Sequence, residues 1–330
     1  MVRQRRQTLA LAVLGLSFLG VLAVVPLVGE TLWGWTEVAS SDPTVRLVLL
    51  EIRLPRVLLG LAAGGALAIA GLALQTLFRN PLAEPYTLGV ASGASLGAVL
   101  VLQLGVSASG LGLPAVGLAA FAGALAVTLV LLGLAGSRFA DESAGMLLAG
   151  VAISLSCSAA ILFIQYLADW TKTYRMVRWM MGGLAVVGYT EVLWLLGPLV
   201  LGLTVLSLER WELDLLLSGE ELAASRGVDL RRLRLIVLGT VSVMVGAVVA
   251  VAGPIGFVGL IVPHLLRRWV GHGHLHLVPA TFFGGAVFLA LCDLAARRVM
   301  APSELPVGVV TALLGGPFFL WVLLWRRRAP

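Results

Sequence analysis

The chain has one lysine, Lys172, among 330 residues. A nucleotide-binding loop of the form Gly-x4-Gly-Lys-Ser/Thr cannot be built anywhere in it, so ATP chemistry by that route is excluded. Cysteine is almost as rare. Cys157 and Cys292 both sit inside apolar runs, which excludes a disulfide framework. Charged residues are only 12% of the chain. The apolar runs hold almost no acid or histidine, Asp293 near the end of one run being the main exception. A carrier driven by protons or sodium ordinarily needs such a group at mid-depth. An intramembrane enzyme needs a Ser/His cluster, paired Asp or a metal set at depth, and none is present. The formal charge of +6 gathers in loops and carries no nucleic-acid signal.

What the sequence has is hydrophobicity. Apolar residues make up 59% of it, with a mean hydropathy of +1.01. That composition belongs to a polytopic membrane protein. The apolar runs are continuous rather than alternating, so an all-α chain is expected and a barrel is not. Glycine is abundant at 39 residues, which suits close helix packing in lipid, as at Gly60-x3-Gly64 and Gly93-x3-Gly97.

Ten apolar segments can be counted, at roughly 9–28, 57–78, 86–104, 113–135, 144–167, 192–208, 235–252, 255–266, 277–296 and 305–325. Most match the ~20 residues a helical span needs. The first is too long and lacks the cleavage pattern of a signal peptide, so it reads as a span. The eighth is short and marked by Gly253, Pro254, Gly256, Gly259 and Pro263. Broken segments of this kind lie near transport pathways, although a short buried helix is an equal reading. A faint echo links 69–82 with 250–265: Gly71 and Pro81 are spaced like Gly253 and Pro263, as in an inverted repeat. With the N-terminus inside, 15 Lys and Arg fall on the inner side and 8 on the outer side. Both termini are therefore expected in the cytoplasm.

One stretch departs from this apolar character. Residues 209–234 read ERWELDLLLSGEELAASRGVDLRRLR, and eleven of these 26 are charged. The block lies between two apolar segments on the inner side. A charged, helix-forming block held there suits a soluble partner, although a plain solvated loop has the same composition.

Five ordered blocks make the chain resemble the FecCD family of ABC importer permeases, which includes the vitamin B12, haem and ferric-siderophore permeases. They are IRLPR at 52–56, GLALQTLFRNPLAEPYTLGVASGA at 71–94, GEELAASRG at 219–227, GPIGFVGLIVPHLLR at 253–267 and ELPVGVVTALLGGPFF at 304–319. The resemblance spans nearly the whole chain. It implies a type II ABC importer permease architecture of about ten transmembrane helices. The whole of 1–330 is then one permease domain, with 209–234 as its coupling segment. It further implies a homodimer, two ABC ATPase subunits on the cytoplasmic face and a periplasmic or lipid-anchored substrate-binding protein. This chain would bind no cofactor. ATP and Mg would belong to the partner ATPase, and the chain itself would be a non-catalytic subunit in the bacterial inner membrane.

By the same resemblance, Gly219, Glu220, Glu221, Ala223, Arg226 and Gly227 pack into a cleft on the ATPase. Arg53, Arg56 and Arg297 receive acidic residues of the binding protein, interface snorkelling being the plainer reading. Asn80, Pro81, Leu82 and Ser143 close the cytoplasmic exit. Ser154, Ser156 and Ser158 line the path, or else pack helices. His272, His274 and His276 are expected in a flexible solvated loop rather than at a metal, and His264 in a structural role. For the substrate, Arg175 and Arg178 in an outer loop suit carboxylates and favour haem or a ferric siderophore. WMMGG at 179–183 resembles the cobalamin permeases and keeps vitamin B12 as the alternative.

Overall fold

The computed structural model describes residues 2–28, 42–106, 109–110, 113–135 and 143–326. Among these the only strand pairing joins Ser109–Gly110 to Leu113–Pro114. Everything else regular is helix. In chain order the helices are α1 (Val2–Val24), α2 (Pro43–Leu77, with a π-helical stretch at Val48–Arg53), α3 (Val90–Leu104), α4 (Ala115–Ala135) and α5 (Ser143–Leu167). There follow α6 (Trp170–Met180), α7 (Thr190–Leu208), α8 (Arg210–Leu216), α9 (Glu220–Ser225) and α10 (Leu230–Ala252). Last come α11 (Val258–Val270), α12 (His274–Arg298) and α13 (Val307–Arg326).

Each of the ten apolar segments holds one of these helices, and seven are long and apolar enough to cross a membrane. The other three are α3, α11 and α13. α11 has 13 residues, about 20 Å of helix against a ~30 Å hydrocarbon core. The third segment starts later than its hydropathy suggests. Residues 80–89 form turns, because Pro81 and Pro85 lack an amide proton and Gly89 takes a left-handed φ of 79°. The helix then begins at Val90.

The core sits around α2, whose apolar length is enclosed almost completely by α7, α10, α11 and α12. Small residues let the backbones meet. A Cβ on Gly64 would run into the Gly285 carbonyl of α12 and lie 2.7 Å from the Leu289 Cβ. Gly71 in α2 similarly meets the Gly259 backbone of α11, so the two echoed stretches of sequence pack on each other. Two buried polar groups tie the same junction. Gln75 Nε2 donates to the Gly259 carbonyl at 2.8 Å, and Arg267 donates to Gln75 Oε1 at 2.7 Å. By contrast α1 and α5 expose most of their apolar surface.

Candidate functional site

A cavity of about 730 Å³ opens between α3, α5, α13 and the unwound segment 253–257. Ser92, Ser95, Ser158, Met181 and Phe257 are on its wall. The three serines expected along the path have separate fates. Ser158 lines the cavity. Ser154 donates to the Tyr86 carbonyl at 3.1 Å and braces the 80–89 turns. Ser156 is exposed and donates to Ala152 of its own helix. Two residues along a helix is a 200° rotation, so Ser156 faces away from the other two. The wall also carries Glu84 and Tyr86. Glu84 stands just before the third apolar segment and Tyr86 opens it, and that placing gives no sign that the 80–89 turns bring a carboxylate to the cavity.

Met181 borders a second cavity of about 660 Å³, on the side reached by α6. Sequence reading placed α6 in a loop. It is a helix capped by Asp169, whose side chain accepts from the Lys172 amide at 2.8 Å. Arg175 and Arg178 are exposed on it, one turn apart, and both line this cavity. Arg56, Asp293 and Glu304 line it as well.

The three arginines expected to meet a binding protein are already engaged. Arg56 is bidentate to Asp293 at 2.9–3.2 Å and pairs with Glu304 at 2.9 Å. Arg297 lies one turn beyond Asp293 and contacts it at 3.1 Å. The Asp293 side chain is 4% exposed and that of Glu304 is 47% exposed. Arg53 is half-buried and donates to the Pro26 and Leu27 carbonyls. The group is thus a knitted cluster with one accessible acid.

At the opposite end of the bundle, Asn80, Pro81 and Leu82 border a small cavity of about 110 Å³ with His264 and Phe318. Asn80 Oδ1 accepts from the Leu82 amide at 3.0 Å, which fixes the turn. His264 stacks edge-on against Phe318. Ser143 is the first residue of α5, and its side chain lies outside the described residues.

The charged block 209–234 folds as α8, a sharp turn and α9, followed by the start of α10. Gly219 has φ 125° and ψ 149°, a region essentially reserved for glycine, and Gly227 has φ 88°. The coupling residues divide by exposure. Glu221, Arg226 and Gly227 face solvent with Leu222. Glu220 pairs with Arg234 at 2.8 Å, and Ala223 is fully buried.

One connection was not legible in the sequence. Within the stretch expected as a solvated loop His272 is exposed, but His274 is 1% exposed and opens α12, so it is a buried joint. Its Nδ1 lies 2.6 Å from Asp214 Oδ1 of α8, and its backbone amide donates to the same oxygen. Its Nε2 lies 3.0 Å from the Thr76 hydroxyl of α2. The Asp–His–Thr order looks like a nucleophile relay. The Thr76 hydroxyl, however, is 1% exposed and donates to the Leu72 carbonyl, so it serves as a strut between α2, α8 and α12. Burial pushes the Asp214 carboxyl up, but the two hydrogen bonds from His274 and the Arg210 charge outweigh it and hold it below its ordinary value.

Comparisons with known proteins bear on the family and the fold. The hemin transport system permease protein HmuU of Yersinia pestis is 39% identical over 322 residues, 97% of this chain and 93% of its own. The vitamin B12 import system permease protein BtuC of Escherichia coli O9:H4 is 40% identical over 318 residues, 94% of each. A solved metal-chelate type ABC transporter in an inward-facing conformation superposes with a TM-score of 0.86 at 31% identity, over 96% of this chain and 98% of that one. The chain is thus an all-α, multi-pass membrane protein, and the model of the FecCD transport family matches residues 13–325: it belongs to that family.

Proposed function

We propose that this chain is the membrane permease of a binding-protein-dependent ABC importer for haem or a ferric siderophore. The observation that carries the reading is the coupling element. It presents Glu221, Leu222 and Arg226 outward while Asp214–His274 and Glu220–Arg234 fasten it to the bundle. A surface rigidly joined to the spans can pass a partner's motion into them. The chain acts as one domain and is non-catalytic, so ATP is hydrolysed on a separate ATPase that binds this surface. The excess of Lys and Arg in the inner segments supports a cytoplasmic location for this element and for both termini.

Two copies complete the path. The 730 Å³ cavity is open, so one chain supplies only part of its wall. A second copy would close it around a bulky chelate. A binding protein docks at the other end, near Arg53, Arg56 and Arg297. Arg175 and Arg178 favour a substrate bearing carboxylates, since guanidinium groups match them in geometry as well as charge. Cobalamin is the second reading, favoured by the WMMGG stretch and by the 40% identity to a vitamin B12 permease.

The test is purification of the chain from its own cells in mild detergent, with mass spectrometry of what accompanies it. An ATPase with a Gly-x4-Gly-Lys-Ser/Thr loop at equal stoichiometry is the expected result. A homo-oligomer with no ATPase, from cells actively taking up the substrate, would refute it.

A further inference from the structure

A concave surface at the coupling end has no part in the transport reading. α1 and the end of α11 enclose a slot of about 350 Å³. Leu9, Ala10, Val13 and Leu14 form its apolar wall, and Arg6, Arg268 and Trp269 border it. Gln7 Nε2 donates to the Val270 carbonyl at 2.7 Å and holds the two helices together at this level. Arg268 also borders the neighbouring cavity of about 500 Å³, which carries Arg79, Arg267 and His272. Four guanidinium groups therefore line two adjoining cavities, and no Asp or Glu is on either wall among the described residues.

A ligand that completes this surface needs a negative head and an apolar body. A free anion answers only the arginines. An acidic protein segment leaves the apolar slot unfilled, and that slot is flanked by Leu9 and Val13, which are 65% and 50% exposed on the outward side of α1. A phospholipid satisfies both ends. Basic pockets between helices on the cytoplasmic side are places where anionic headgroups bind, and tryptophan favours the same interface. We propose that α1 and α11 form a binding site for an anionic glycerophospholipid, its phosphate between Arg6 and Arg268 and an acyl chain along Leu9, Val13 and Leu14. The bound lipid fills the slot beside Val270, two residues before the turn that leads to His274, and so stiffens the joint on which α8 hangs.

The test places the full-length chain in nanodiscs of mixed phosphatidylcholine and phosphatidylglycerol. After extraction, retained lipid is counted by native mass spectrometry. Wild-type protein should keep phosphatidylglycerol in preference to phosphatidylcholine. In R6Q/R268Q that preference should fall by roughly thirtyfold, the effect expected of two basic residues near an anionic headgroup at about 1 kcal/mol each. Leu14→Trp leaves every charge in place and fills the slot, and it should lower retention of phosphatidylglycerol as well. Equal retention of the two lipids by wild type, or an unchanged preference in R6Q/R268Q, overturns the proposal. Displacement of the lipid by millimolar inorganic phosphate would make this a free-anion site and overturn it too. Retention that disappears once the ATPase is bound would assign the arginines to an acidic protein contact instead.

Discussion

Arg56 is shared between two acids of different character. Asp293 is enclosed with it, while Glu304 is half-exposed. On the proposed docking at these arginines, an acidic residue arriving from a binding protein would displace only Glu304, which would then be a stand-in for the docking partner. Glu304→Gln should therefore tighten docking, by up to about fivefold, because an exposed ion pair is worth only ~0.2–1 kcal/mol. Surface-plasmon measurement with the binding protein checks this, and unchanged or weaker docking would remove Arg56 from the interface. Asp293→Ala is a different experiment. It leaves Arg56 and Arg297 buried without their shared acid, and breaking such a pair costs about 3–5 kcal/mol. The expected result is a large drop in thermal stability in detergent with no specific docking defect. Sequence reading singled out Arg53 and Arg56 because IRLPR is a recognisable string. It could not show the partners of Arg56, which lie 237 and 248 residues away.

The coupling element hangs on the Asp214–His274 joint and bends at Gly219, and each has its own test. Asp214 is held below its ordinary pKa of 3.8 chiefly by His274, against the opposing push of burial. A carboxyl shifted downward on folding contributes its full stabilisation above the ordinary value and loses it as pH falls through the lower, folded value. Protection of 209–229 against hydrogen exchange, corrected for the intrinsic rate at each pH, should therefore be flat from neutral pH down to about 4 and fall below it. Asp214→Asn should expose the segment at every pH. Protection that stays flat below pH 4 would remove Asp214 from the joint. Gly219→Ala tests the turn, since a Cβ at φ 125° costs on the order of 1–3 kcal/mol. It should loosen α8 and α9 while leaving the spans intact by circular dichroism. The spans themselves were legible, because apolar length alone marks them. α6 was not, because WTKTYRMVRWM carries enough charge to look like loop and its apolar face shows only once it is wound. The joint at His274 was invisible for the opposite reason. GHGHLH is polar in sequence, and nothing in it shows that the approach of α8 encloses His274 while His272 stays exposed.

At the scale of the whole molecule the question is where the driving force enters. Glu84 on the cavity wall weakens the argument that no acid lines the path, so a proton-driven carrier must be excluded by experiment rather than by composition. The exposed side of the coupling element provides that experiment. Ala223 is buried and Glu220 is spent on Arg234, so changing either would damage the element itself. Glu221 and Leu222 are exposed, and Leu222 leaves 45% of an apolar residue open to solvent. Glu221→Arg combined with Leu222→Asp should keep the fold, the stability and binding-protein docking. Association with the ATPase should weaken by at least about 2 kcal/mol, roughly thirtyfold, as expected for residues at the centre of an interface. In proteoliposomes carrying the complete transporter, ATP should drive uptake in the wild type and fail to do so in this variant, and dissipating the proton gradient should change neither result. A carrier powered through Glu84 reverses the pattern. The variant would then transport normally, and collapse of the gradient or Glu84→Gln would stop uptake in both proteins.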